Sequence, residues 1–279
     1  MTPSPDSKSS STSTGPEPAS NEPRPLAGLS VALSTSAGDT DRSTATELTA
    51  VRADLARELL TAGARLAFGG HFGEGAITRE LAELVEPGLE RLWAWVGWPV
   101  PLTNQDRAEF EDMASIERVQ RPADIDENLH PALVAEPGSH LAVDSVWPRY
   151  AWARGMTALR EAQTAATEAR VALGGRTGPA GSWYLGRVPG VFEEIALTVR
   201  AGQPLILIGG YGGAAGLVAD LLTATDRAVP EQFTWAYQRR APFSDELRAL
   251  YEQRGEPWCC LLYTSDAADE DCLGGWGGG

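Results

Sequence analysis

Four short segments combine glycine with small hydroxyl or polar residues: 34–38 (STSAG), 69–75 (GGHFGEG), 174–181 (GGRTGPAG) and 209–213 (GGYGG). Each follows a short apolar run. A glycine turn leaving a strand presents backbone N–H groups beside the start of the next helix, which is how proteins hold phosphate. One such turn says little, because glycine also serves tight connections. Four at one sheet edge would make a rim of donors. The candidate ligand contacts in these turns are Ser34, Ser36, Gly69, Gly70, His71, Gly75, Gly174, Gly175, Arg176, Gly209, Gly210, Gly212 and Gly213. His71 is a site candidate as a polar residue beside two glycines, or an ordinary loop histidine.

Two helical patterns add ionisable groups. Along 150–169, Ala158, Leu159, Ala162, Ala165, Ala166 and Ala169 form one apolar stripe, and Met156, Arg160, Gln163 and Thr167 form the opposite one. Arg160 is therefore either a solvated cation or a phosphate ligand placed just ahead of a Gly-Gly strand end. On the helix opening at Gly190, the residues Val191, Phe192, Ile195 and Val199 share the core face, with Glu194 flanking it and Glu193 pointing further out. Acids in a first turn are stabilised by the helix dipole whether or not they touch a ligand. Glu194 is also placed to accept from a ribose hydroxyl or to act as a general acid or base. Trp183 and Tyr184 either stack on a base or plug their own loop onto the domain.

These residues need a scaffold, and the periodicity supplies one. Apolar runs at 29–33, 65–68, 92–96, 171–173 and 205–208 read as buried strands. Between and after them, 47–60, 76–85, 105–113, 150–169, 190–201, 214–224 and 244–253 read as helices. Alternation of this kind predicts an α/β fold: a mostly parallel sheet with helices on both faces. Ligands then sit at the carboxyl ends of strands, near the point where strand order reverses. The segment 99–148 is the least periodic, and an irregular insertion or lid is expected there.

Composition narrows the function. The 279 residues carry 38 acidic and 23 basic side chains, a formal charge of −15, which disfavours a nucleic-acid partner. The longest uncharged run, 201–219, contains six glycines and Pro204, so it reads as strand, turn and helix and not as a membrane span. Residues 1–25 hold seven Ser, three Thr and six Pro and lack an apolar signal core, so a disordered tail and a cytoplasmic location are expected. No G-x-G-x-x-G or G-x-x-x-x-G-K-[ST] pattern occurs, nor a G-x-S-x-G elbow. The three cysteines (Cys259, Cys260, Cys272) all lie near the C-terminus, and His71, His130 and His140 lack ligand spacing, so neither a metal nor a cofactor is implied.

The segments VALSTS (31–36), AFGGHFGEGAITREL (67–81), VALGGRTGPAGSWYLGRVPGVFEEIA (171–196) and PLILIGGYGG (204–213) together resemble the SLOG superfamily. The nearest likeness is to its prokaryotic branch related to the cytosolic domain of TRPM channels, over roughly 28–224. That resemblance implies a Rossmann-like domain, 26–258, binding a nucleotide or ADP-ribose-like signal, with a second copy or a fused or neighbouring effector as further partners, in a bacterial conflict or signalling system. The superfamily also contains the LOG phosphoribohydrolases, whose helix carries M-x-x-R-K and whose next strand ends in P-G-G-x-G-T-x-x-E. Met156 and Arg160 are similar to the first motif with one extra residue between them, and Glu161 stands at its Lys. Gly174-Gly175 and then Gly190 and Glu194 match parts of the second, with Arg176–Val188 inserted and Val191 at its Thr. If the chain is an enzyme, the resemblance makes Arg160 and Glu194 its catalytic pair. Finally, CLLYTSDAADE from Cys260 resembles an in-frame translation of a transposase sequencing adapter, so 260–279 is expected to be an artefact without an evolved role.

Overall fold

The computed structural model describes residues 24–38, 42–70, 72, 77–85, 91–125, 141–179, 184–224 and 229–255. Six strands form one sheet: β1 (Ser30–Ser36), β2 (Arg65–Gly69), β3 (Leu92–Val96), β4 (Ala114–Arg118), β5 (Ala169–Gly174) and β6 (Leu205–Ile208). Their order is β4-β3-β2-β1-β5-β6 and every neighbouring pair is parallel. The chain thus builds outward from β1 to β4, then returns to lay β5 on the other side of β1. Strand order reverses between β1 and β5, which pair from Val31↔Ala169 to Ser36↔Gly174. This is the Rossmann-like α/β architecture the periodicity and the resemblance lead one to expect.

Alternation along the strands sorts side chains onto two faces. Val31, Leu33, Leu66, Phe68, Leu92, Val96, Val171 and Leu173 pack in one core with Leu48, Ala56 and Leu60 of α1 (Arg42–Thr61), Leu81 of α2 (Ile77–Ala82) and Phe110 of α3 (Asn104–Phe110). On the other face three inward residues are small, Ala32, Ala67 and Ala172, all wholly buried, while Trp95 and Arg170 are large. Short side chains let helices come close, and there Ala172 packs with Val191 and Ile195 of α5 (Gly190–Arg200), and Ala67 with Leu159 of α4 (Val146–Ala165). The helix α6 (Gly213–Thr223) adds Ala214, Ala215 and Val218 to the α5 cluster. Leu247 and Tyr251 of α8 (Ser244–Gln253) pack with Tyr150 and Trp152 of α4. The short helix α7 (Trp235–Gln238) lies just before α8.

One expectation needs revising. Part of the segment read as an irregular insertion belongs to the sheet: α3 leads into β4, an edge strand paired Leu92↔Ala114 through Val96↔Arg118. An edge strand needs only one apolar face, so its sequence, ASIER, is too short and too polar to stand out. Its preceding helix did carry a signal, the capping box formed by Thr103 and Asp106. Residues 126–140, with His130 and His140, lie outside the described residues.

Candidate functional site

With every strand parallel, all the glycine turns leave the same edge of the sheet, and three of them touch. The amide of Gly175 donates to the carbonyl of Ser36 (2.9 Å), and the amide of Ala214 donates to the carbonyl of Gly175 (3.0 Å). A Cβ on Gly38 would meet the Gly175 carbonyl oxygen at 2.7 Å, and one on Gly213 would meet it at 2.5 Å. Close approach of three backbones at the β1/β5 switch point therefore requires these glycines, ligand or no ligand. Gly213 opens α6, whose first-turn N–H groups have no intrahelical acceptor and sit at this edge.

The candidate glycines separate into two groups. Gly174 is crowded by Leu48 and the Ser36 carbonyl, Gly175 by Val191, Gly209 by Ala219, and Gly70 by Val96 and the Trp95 carbonyl. Gly190 is crowded by Arg160, whose Nη2 a Cβ would meet at 2.7 Å. A Cβ on Gly69, Gly210 or Gly212 would meet nothing within 4 Å among the described residues. These last three line the open part of the edge. Arg176 is exposed and Ser36 half-buried. Ser34 is placed differently from the expectation: it is 2% exposed, and its hydroxyl accepts from Arg170 Nη1 at 2.6 Å, inside the α5 face of the sheet. His71, Gly75 and Trp183 lie outside the described residues. Tyr184 is buried, its hydroxyl donating to Gln238 Oε1 at 2.7 Å, so it fastens its loop to α7.

Between α4 and α5 lies a buried ionic layer. Arg160 Nη1 is bound to Glu193, and its Nε is 3.4 Å from Glu194 Oε1. Glu193 also accepts from the Thr157 hydroxyl (2.6 Å) and lies 3.6 Å from Arg187 Nη2. Arg170, 1% exposed, donates to Thr198, Ser34, Gln163 and Thr164, and approaches Glu194 at 3.6 Å. Burial is the largest influence on Arg170 and lowers its pKa, Glu194 opposing. For Arg160, burial again pulls downward but Glu193 and Glu194 outweigh it, so its pKa is raised.

The structure places Arg160 beside Glu194 but sets them in a different environment from the one helical periodicity suggests. Arg160 is not on a solvated stripe: Gln163, Thr164 and Thr167 beside it are buried while Ala165 is exposed. Glu193, expected to point outward, is the fully buried acid, and Glu194 retains 17% of its side-chain exposure. The reason is that α4 and α5 pack against each other as well as on the sheet, so each buries a second face, and polar groups enter it only in pairs. Arg149, Arg170, Arg187 and Thr157 belong to this layer and its surroundings without having been singled out. A charged residue within the strand run ARVALG was the available signal for Arg170.

At the other end of α4, Arg149 is 1% exposed, with its guanidinium 5.3 Å from the Tyr184 ring centre. Its Nε and Nη1 have no hydrogen-bond partner, and neither has Nε of Arg187. Among the described residues no three His, Cys, Asp or Glu side chains cluster as a metal site would require, and no helix is long and apolar enough to cross a membrane. No curated protein and no solved structure gives a significant match to the chain. Its sequence does match the SLOG cluster2 family over residues 25–263, and the chain belongs to that family.

Proposed function

We propose that the open sheet edge at the β1/β5 switch binds a nucleotide-derived ligand, of ADP-ribose or nucleotide type, and that the protein senses this ligand without rapid turnover. SLOG membership supports a nucleotide-related binding or hydrolysis role in general. What favours sensing is the commitment of Arg160 to the protein itself. Its guanidinium is bound by Glu193, only 11% of its side chain is exposed, and Gly186 and Gly190 leave it the space it fills. In the LOG pattern such an arginine works with a phosphate-holding threonine, and here Val191 stands at that position, apolar and buried. Losing one hydrogen bond to a charged phosphate costs roughly 1.5–3 kcal/mol. Binding tolerates that loss where backbone donors remain, whereas catalysis depends on positioning. A fused or neighbouring effector would carry the signal onward, as in the TRPM-related prokaryotic branch that the sequence resembles.

One observation favours hydrolysis of an N-glycosidic bond as the second reading. Glu194 remains partly accessible beside Arg160 and Arg170, at 3.4 and 3.6 Å, where a general acid or base would stand. Calorimetry with a panel of adenine nucleotides and ADP-ribose, beside chromatography of the products, separates the two. Binding without release of free base is the expected result. Fast base release that Glu194→Gln abolishes would replace the sensor with an enzyme. We also read residues 260–279 as adapter-derived; amplifying the natural locus across this junction tests that, and the same sequence in genomic DNA would refute it.

A further inference from the structure

The buried ionic layer does not balance. Among the described residues, Arg149, Arg160, Arg170 and Arg187 contribute four positive charges, and Glu193 and Glu194 contribute two negative ones, an excess of two. Arginine remains protonated in protein interiors, so neutralisation does not remove the excess. The imbalance is concentrated at one place. Arg160 and Arg170 each have carboxylate and hydrogen-bonding partners, and Arg187 has Glu193 at 3.6 Å but a buried Nε without an acceptor, whereas Arg149 has two buried N–H-bearing nitrogens without one. Both stand over ring faces, Arg149 5.3 Å from Tyr184 and Arg187 5.6 Å from Tyr251. Burial pulls the Arg149 guanidinium down to about 10, with only Tyr184 and Tyr251 acting in the opposite sense. Asp124, which grips α4 through Tyr150 and Arg154, is already taken by those two side chains. An isolated cation out of water costs several kcal/mol, and a native fold that keeps one requires a reason.

Position supplies that reason. The helix α4 ends three residues before β5 begins, at the far edge of the sheet, and its 20 residues extend about 30 Å. Its N-terminal turn, carrying Arg149, therefore lies toward the edge where the glycine turns open. Tyr184 and Arg187 belong to the segment following the β5 turn, and Gln238 ties that segment down by accepting from Tyr184 and donating to the Thr177 carbonyl. We propose that Arg149 and Arg187 form an anion subsite that receives a phosphate group of the ligand, a dianion that completes the charge of the layer. Tyr184 lies on Arg149, so an anion reaching that guanidinium must displace its ring. The remainder of the ligand rests on the nucleotide reading above; the subsite itself does not.

Thermal unfolding and calorimetry of the full chain with inorganic phosphate, ADP and adenosine test this, with chloride matched for ionic strength. Phosphate should raise the unfolding temperature beyond chloride. Arg149→Met should abolish that rise, weaken ADP about ten- to a hundred-fold, and leave adenosine unchanged. Without ligand it should unfold no earlier than the native protein, since an uncompensated charge has been replaced by an apolar chain of similar length. Early unfolding with an intact phosphate response would make Arg149 purely structural and overturn the subsite. Equal ADP affinity in both proteins would also overturn it, while leaving the nucleotide reading standing. An Arg149-dependent phosphate response without any nucleotide binding would do the reverse. If Arg149→Met does not fold, Arg149→Lys keeps a charge but loses the planar donors, and must still weaken phosphate for the subsite to survive.

Discussion

The two ends of α4 bury arginine on opposite terms. Near its C-terminus, Arg160 meets Glu193 and Glu194, and its neighbour in β5, Arg170, meets four side-chain acceptors. Near its N-terminus, Arg149 is equally deep and has aromatic rings beside it but no acceptor for Nε or Nη1. The first end is compensated within the chain, so its charges serve architecture: they join β1, α4, β5 and α5. At the second end the described residues supply no acceptor for two of the guanidinium nitrogens. A pair that sequence likeness marks as catalytic is thus held by structural contacts, and Arg149, which no motif marks, is left with two unused donors.

The largest effect is expected at the compensated end. Glu193→Gln keeps the shape but removes the charge opposite Arg160 and Arg187, leaving cations uncompensated at a wholly buried site. Breaking a buried pair from one side costs about 3–5 kcal/mol. Urea titration should show that loss with the m-value unchanged. A change below about 1 kcal/mol would mean that the layer is not held by its charges, and the contrast with Arg149 would fail.

How far the sequence led differs between these two ends for a physical reason. β3, β6 and α8 follow their apolar patterns to the residue, because a strand in a parallel sheet or a helix on a surface is written in its periodicity. The glycine turns and their common edge follow from the same alternation. The ionic layer does not, since a single helical period describes a helix with one buried face, and α4 has two. Its second face is made of Thr157, Gln163, Thr164 and Arg149, residues that count as solvent-facing until their partners on other elements are known. β4 escaped for the complementary reason, being an edge strand with three of its five residues polar.

A middle-sized effect sharpens the comparison from outside the layer. Asp124 accepts from the Tyr150 hydroxyl (2.7 Å) and from Nε and Nη2 of Arg154 (3.0 and 3.1 Å), gripping the α4 turns next to Arg149. Burial works to raise its pKa, but the hydrogen bonds from Arg154 and Tyr150 prevail and hold it below the usual carboxylate range. A depressed carboxylate contributes stability that is present above its unfolded pKa, about 3.9, and is lost as pH falls through the folded value. Asp124→Asn should therefore cost about 1–2 kcal/mol at neutral pH, and the gap from the native protein should close on acidification below pH ~4. A gap independent of pH would mean that Asp124 acts by shape and not by charge. It would then be no rival to a ligand as the counter-charge for this end of α4.

The smallest effect on stability separates glycines that serve packing from those left for a ligand. Gly213 lies 2.5 Å, by its absent Cβ, from the Gly175 carbonyl at a positive φ, so any side chain there strains the three-turn junction. A Cβ on Gly210 would meet nothing within 4 Å among the described residues, and the φ of Gly210 is not positive. Gly210→Ala should therefore shift stability by no more than about 0.5 kcal/mol, the lost freedom of the unfolded chain offsetting what little is disturbed. If the open edge is where a nucleotide lies against the backbone, a methyl group there occupies the ligand's space. Calorimetry with ADP should then show weaker binding in a protein that unfolds at the native temperature. Unchanged ADP affinity would remove Gly210 from the binding edge and leave the subsite beside Arg149 as the place where the ligand is held.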